Sequence, residues 1–157
     1  MKEESQSIIK GIFPPPLFVL ALLIIGFSLR WYNPLSFQNN HRDYWLFSGI
    51  IVIILSGLLA FLASRIMRSQ RTPINFDNPT IMIINKGPFR FTRNPLYLSL
   101  LMFYGGAGIV ANSLWFALLL PVLYFFLRSV ILREEKYLDH IFGNEYVLYK
   151  NTVKRWL

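Results

Sequence analysis

The apolar positions of this chain fall into four runs, separated by stretches that are charged or rich in proline and glycine. A helix that crosses a bilayer needs roughly 20 mostly apolar residues, so each run is read as a candidate span. The first starts at Pro14, stays apolar to about Leu29 and carries Trp31 and Tyr32 as interface aromatics; over 14–32 it is short for a full crossing and can equally lie re-entrant. The second, 45–67, is apolar throughout and is closed by Arg65 and Arg68. The third, 95–111, and the fourth, 113–132, meet at Ala111, Asn112 and Ser113, which predicts a tight antiparallel helical hairpin. Gly105, Gly106 and Gly108 would let its backbones approach closely, and Pro121 predicts a kink in the fourth span. The expected fold is therefore all-α: a polytopic transmembrane helical bundle of about four spans forming one membrane domain over 1–157. A polar motif loop occupies 68–94 and a tail occupies 133–157.

Composition agrees: 54% of the 157 residues are hydrophobic, only 15% are charged, and the mean hydropathy is positive, which argues against a soluble domain. The chain has no cysteine, which excludes a disulfide framework, a thiol nucleophile and Cys-ligated metal. His41 and His140 are too few and too far apart for a metal site, so none is expected. The segment before the first run, with Lys2, Glu3, Glu4 and Lys10, has no small-residue cleavage site after that run and is read as part of the mature chain.

The net charge of +8 is interrupted by the spans, so it forms no continuous nucleic-acid face; anionic lipid is the expected partner. Of sixteen Lys and Arg residues, two lie before the first span, six around the second loop and six at the end of the fourth span and in the tail. Four spans thus put fourteen of the sixteen on one side, and the positive-inside rule makes that side cytoplasmic, with both termini.

Two polar segments carry candidate chemistry. From Gly87 the chain reads Gly-Pro-Phe-Arg-Phe-Thr-Arg-Asn-Pro-Leu-Tyr, placing Arg90 and Arg93 at the entry of the third span and Pro95 in its first turn, where a missing N–H costs nothing. An arginine pair there can bind an anion; taken alone, it would simply snorkel to lipid phosphates, with Tyr97 in an aromatic belt. After the fourth span come Glu134 and Glu135, then Leu138, Ile141 and Phe142 at helical spacing, which predicts a partly amphipathic helix ending near Gly143. The chain continues through Tyr146, Tyr149, Val153 and Arg155-Trp156. An isolated acidic pair of this kind would be solvated or paired with Arg128, Arg133 or Lys136.

Together the two segments resemble the isoprenylcysteine carboxyl methyltransferase and phospholipid methyltransferase family of integral membrane methyltransferases. Gly87 to Tyr97 follows its Gly-Pro-aromatic-Arg-x-x-Arg-His/Asn-Pro-x-Tyr pattern. Glu134 to Tyr149 follows its Glu-Glu-x-x-Leu-x-x-x-Phe-Gly-x-x-Tyr-x-x-Tyr pattern, in the right order with a hairpin between. Arg71, Thr72, Pro73 and Ile74 are a weaker upstream echo, and the first two spans match only in being hydrophobic.

The resemblance implies S-adenosyl-L-methionine as cofactor, held in a cytoplasm-facing pocket without a Rossmann fold; no Gly-x-Gly-x-x-Gly follows a strand here. It implies a cofactor site made of Arg93, Asn94, Pro95, Tyr97, Glu134 and Glu135, with Arg90 and Arg93 as the catalytic pair. Arg90 or Arg93 would meet the cofactor carboxylate, and Glu134 or Glu135 its amine or ribose hydroxyls. Asn94 stands where many relatives have histidine, so it can hydrogen-bond but cannot serve as a base. Methyl transfer from a sulfonium is an in-line displacement, so the chief task is to align nucleophile and methyl carbon about 3 Å apart. The acceptor would be a carboxylate or an amine on an amphiphilic or lipidated molecule whose tail enters from the bilayer. Two other readings are an NADPH-dependent membrane reductase of related fold and a non-catalytic lipid-binding protein.

Overall fold

The computed structural model describes residues 13–37, 42–70 and 83–157. The segment around Lys2–Lys10, His41 and the upstream echo at Arg71–Ile74 lie outside the described residues. Among the described residues the fold is all-α, with five helices: α1 (Pro15–Tyr32), α2 (Arg42–Ser69), α3 (Pro95–Val110), α4 (Leu114–Phe142) and α5 (Asn144–Thr152), plus one 3₁₀ turn at Gly87–Arg90.

Three helices, α1, α2 and α4, are long and apolar enough to cross a membrane. The fourth apolar helix, α3, has 16 residues, roughly 24 Å at the usual rise per residue and shorter than the ~30 Å hydrocarbon core. The long helices leave Leu20, Ile24, Ile51, Ile54 and Phe61 more than half exposed, an apolar surface that lipid solvates and water does not.

Local sequence explains the boundaries. Two prolines, Pro15 and Pro16, open α1, where helical N–H groups lack partners anyway. Pro95 opens α3 in the same way. Asn112 carries the expected tight turn between α3 and α4 with φ 45°, a left-handed conformation that asparagine tolerates, and Ser113 N donates to Gly108 O at 3.2 Å. The fourth run and the amphipathic helix expected after it are one continuous helix of 29 residues, α4, which contains Pro121 and ends just before Gly143 as anticipated.

The chain packs as two compact units. One consists of Pro14–Leu58 and Tyr97–Leu127. Here α2 meets α3 along a seam of small residues. A Cβ on Gly49 would sit 2.8 Å from Val110 N, and one on Gly106 would sit 3.2 Å from Gly49 O. Seven residues further along α2, Ser56 Oγ donates to Ser99 O at 2.9 Å. The glycines expected to serve the hairpin thus divide. Gly108 lies against Phe116 of α4, Gly106 serves the α2 crossing, and Gly105 has open space beside it.

In the same unit the chain after α1 is tied to the hairpin turn. Arg30 Nη1 donates to Asn112 O at 3.1 Å, Trp115 Nε1 to Asn33 O at 2.7 Å and Leu114 N to Leu35 O at 3.0 Å. Trp115 is therefore a hydrogen-bond anchor, whereas Trp31 and Tyr32 are almost fully exposed, as interface aromatics would be. An apolar groove of about 610 Å³ opens between α3 and α4, lined by Leu101, Met102, Leu120, Pro121 and Phe125.

Candidate functional site

The second unit includes Leu59–Leu96 and Arg128–Leu157, and it holds both motif segments except Tyr97. Its geometry starts from Gly143, whose φ of +53° ends α4 where an L side chain would be strained. The chain then reverses into α5, and Tyr146, Tyr149 and Val153 become buried together against Ile83, Leu138 and Phe142. Burial pushes the Tyr149 hydroxyl up to about 12, with Arg93 acting in the opposite sense. Tyr146 is raised further by burial and by the charge of Glu135, again partly offset by Arg93. Both hydroxyls stay protonated at neutral pH, and Tyr149 Oη donates to Phe89 O at 2.8 Å, tying α5 to the 3₁₀ turn.

Beyond α5 the tail crosses the Thr92–Asn94 segment. Arg93 N donates to Lys154 O at 2.9 Å. Arg155 O accepts from both Thr92 Oγ1 at 3.1 Å and Asn94 Nδ2 at 3.0 Å, while Asn94 N is held by Thr92 Oγ1 at 3.2 Å. This backbone clasp brings three ionised side chains together. Arg155 donates to Glu135 through Nε at 3.0 Å and Nη2 at 2.7 Å, a bidentate pair. Arg93 Nη2 approaches Glu135 Oε1 at 3.3 Å. The Glu135 and Arg93 side chains are 7% and 10% exposed, so their pair is screened far less than surface pairs are, while Arg155 is partly exposed.

The cluster carries one more positive than negative charge. Arg93 Nε and Nη1 are buried and have no hydrogen-bond partner among the described residues. Buried N–H groups on a cation demand an acceptor, and a carboxylate fits that demand in both charge and shape. The chemistry of these donors therefore suits a cofactor bearing a carboxylate.

Sequence expectation and geometry coincide at Arg93 and Glu135 and divide elsewhere. Asn94 hydrogen-bonds, as expected, but its amide goes to the tail carbonyl. Pro95 is buried at the start of α3. Tyr97 is buried on α3 in the other unit. Arg90 is exposed at the end of the 3₁₀ turn and forms no ion pair among the described residues. Glu134 is half-buried, while Glu135 makes the ion pairs. The local cations Arg128, Arg133 and Lys136, considered as partners of the acidic pair, are exposed; the partners that hold Glu135 are 42 and 20 residues away in sequence. Arg155, Thr92, Tyr146 and Tyr149 received no role from the sequence. A buried acid needs a cation, and the Arg155-Trp156 end of the tail was the available signal.

His140 is exposed, in keeping with a solvated face, and no group of three potential metal ligands occurs among the described residues. Asp139 pairs with Lys150 at 2.8 Å on a more open part of the same unit.

Compared with known proteins, residues 44–145 match the family model of the phospholipid methyltransferases. No curated protein matches, and no solved structure matches.

Proposed function

From the premise that the chain belongs to the phospholipid methyltransferase family, and is thus a multi-pass membrane methyltransferase dependent on S-adenosyl-L-methionine, we propose that it methylates a carboxylate or amine of an amphiphilic acceptor at the Arg93–Glu135–Arg155 cluster. The observation that carries this reading is the pair of buried, unpartnered Arg93 N–H groups in a cluster of net positive charge. The family match favours this activity over the reductase reading.

When bound, S-adenosylmethionine supplies an electrophilic methyl group on a sulfonium centre. Arg93 is assigned to its carboxylate, with Glu135 against its Nη2. Glu134, one position earlier on α4, is assigned to the amine or ribose hydroxyls. Exposed Arg90 is assigned to the polar head of the acceptor. Asn94 and Pro95 hold the loop in place, and Tyr97 supports α3 by packing. With α3 counted as a short fourth span, both termini and this cluster lie on the side that carries fourteen of the sixteen basic residues, the cytoplasmic side.

Calorimetry of S-adenosylmethionine with the protein in nanodiscs tests the reading. The wild type is expected to bind saturably, and Arg93→Ala to bind roughly a hundredfold more weakly, as expected from losing two charge-assisted hydrogen bonds. Absence of binding by a folded wild type would reject the site.

A further inference from the structure

Arg155 lies beyond the matched residues 44–145, yet its side chain reaches Glu135, in the centre of the cluster. We propose that Arg155 is a positioning residue that, by gripping both oxygens of Glu135 bidentately, keeps that carboxylate from neutralising Arg93 and so preserves Arg93 as the anchor for a ligand carboxylate. The inference rests on the functional reading above and deepens it.

The geometry favours this division of labour. Glu135 gives its shorter contacts, 3.0 and 2.7 Å, to Arg155, while Arg93 reaches it at 3.3 Å through Nη2. Arg93 Nε and Nη1, on either side of the Nη2 that faces Glu135, are left buried without a hydrogen-bond partner among the described residues, each able to donate to a ligand oxygen. Were Arg155 absent, Glu135 would face one cation in place of two. A carboxylate beside a lone buried guanidinium turns to engage it through both oxygens, which would consume the N–H groups a ligand needs.

The tail is built to prevent that turn. Arg155 O is pinned by Thr92 and Asn94, and Lys154 O by Arg93 N, so the backbone that carries the Arg155 side chain is fixed to the loop that carries Arg93. Val153, buried against Tyr149, anchors the segment from the other side. Asn94 thereby acts through the tail, which explains why a residue without a titratable group suffices at that position.

The experiment compares two probes on the protein in nanodiscs: S-adenosylmethionine and 5′-methylthioadenosine, which keeps the adenosine and a neutral thioether sulfur but lacks the amino-acid end with its carboxylate and amine. Arg155→Ala is expected to weaken S-adenosylmethionine binding at least tenfold and to change methylthioadenosine binding less than twofold. Arg155→Lys keeps the cation but cannot hold both oxygens, so it is expected to fall between, and it serves where the alanine variant does not fold. Adding Glu135→Gln to Arg155→Ala removes the neutralising charge and is expected to return S-adenosylmethionine affinity toward the wild-type value. Equal losses for both probes, or no rescue in the double variant, would overturn the positioning role and leave Arg155 as a fold element. A folded wild type that binds neither probe would overturn the functional reading itself.

Discussion

Replacing Glu135 by alanine is expected to destabilise the protein by about 3–5 kcal/mol, the usual cost of removing one partner from a buried ionic group. The reason is arithmetic of charge. With the carboxylate gone, buried Arg93 and partly exposed Arg155 would face each other, each without its acceptor. Glu135→Gln should be milder, because one amide oxygen still accepts from Arg155 while the repulsion between guanidiniums persists. Glu134→Ala, beside it in sequence but half-buried, is expected to cost less than about 1 kcal/mol. Thermal unfolding in detergent, with limited proteolysis of the tail alongside, separates the two: Glu135→Ala should melt lower and release residues 153–157 to protease. Equal melting of the Glu134 and Glu135 variants would mean that the cluster contributes nothing to holding the tail.

That asymmetry between adjacent glutamates marks the boundary of what the sequence discloses. Membrane spans are legible because lipid demands long uninterrupted apolar runs, and α1, α2 and α4 fall where the hydropathy places them. The hairpin is legible because three residues admit little besides a tight turn, and the stop at Gly143 because glycine punctuates helices. The site is legible only in part. Arg93 and Glu135 stand out through their motifs, but which of two neighbouring acids turns inward is decided by about 100° of helical rotation and by a cation 20 residues downstream. The tail clasp is made largely by backbone carbonyls of Lys154 and Arg155, which leave no trace in residue identity. The charge count treated Arg155 as one cation among sixteen, when the fold makes it the principal partner of the buried acid.

The small residues of the α2 seam support the second large expectation. Among the described side chains of α2, those buried are Gly49, Ser56 and Ala63, small residues seven apart on a helix whose other faces are bulky and apolar. In a bilayer, apolar surface by itself does not draw helices together, since lipid is as good a solvent; close backbone approach and interhelical hydrogen bonds do. Gly49 and Gly106 supply the approach, and Ser56, donating to Ser99 O, supplies the bond. A methyl group on Gly49 would press on Val110 N at 2.8 Å, and that obstacle is backbone, which cannot step aside by changing a rotamer. Gly49→Ala is therefore expected to destabilise the protein by about 1–3 kcal/mol, and Gly49→Leu by more, by prising α2 from α3 and stretching the Ser56 bond. A Cβ added at Gly57 or Gly105 would meet nothing within 4 Å, so alanine there should be neutral or should stabilise by about 0.5–1 kcal/mol through helix propensity. Melting the alanine variants of Gly49, Gly57 and Gly105 side by side in one detergent should lower the midpoint for the first and leave or raise it for the other two, if the seam holds the unit together. A uniform small effect would show that this bundle is held by its lipid and loops, with no contribution from the glycine crossing.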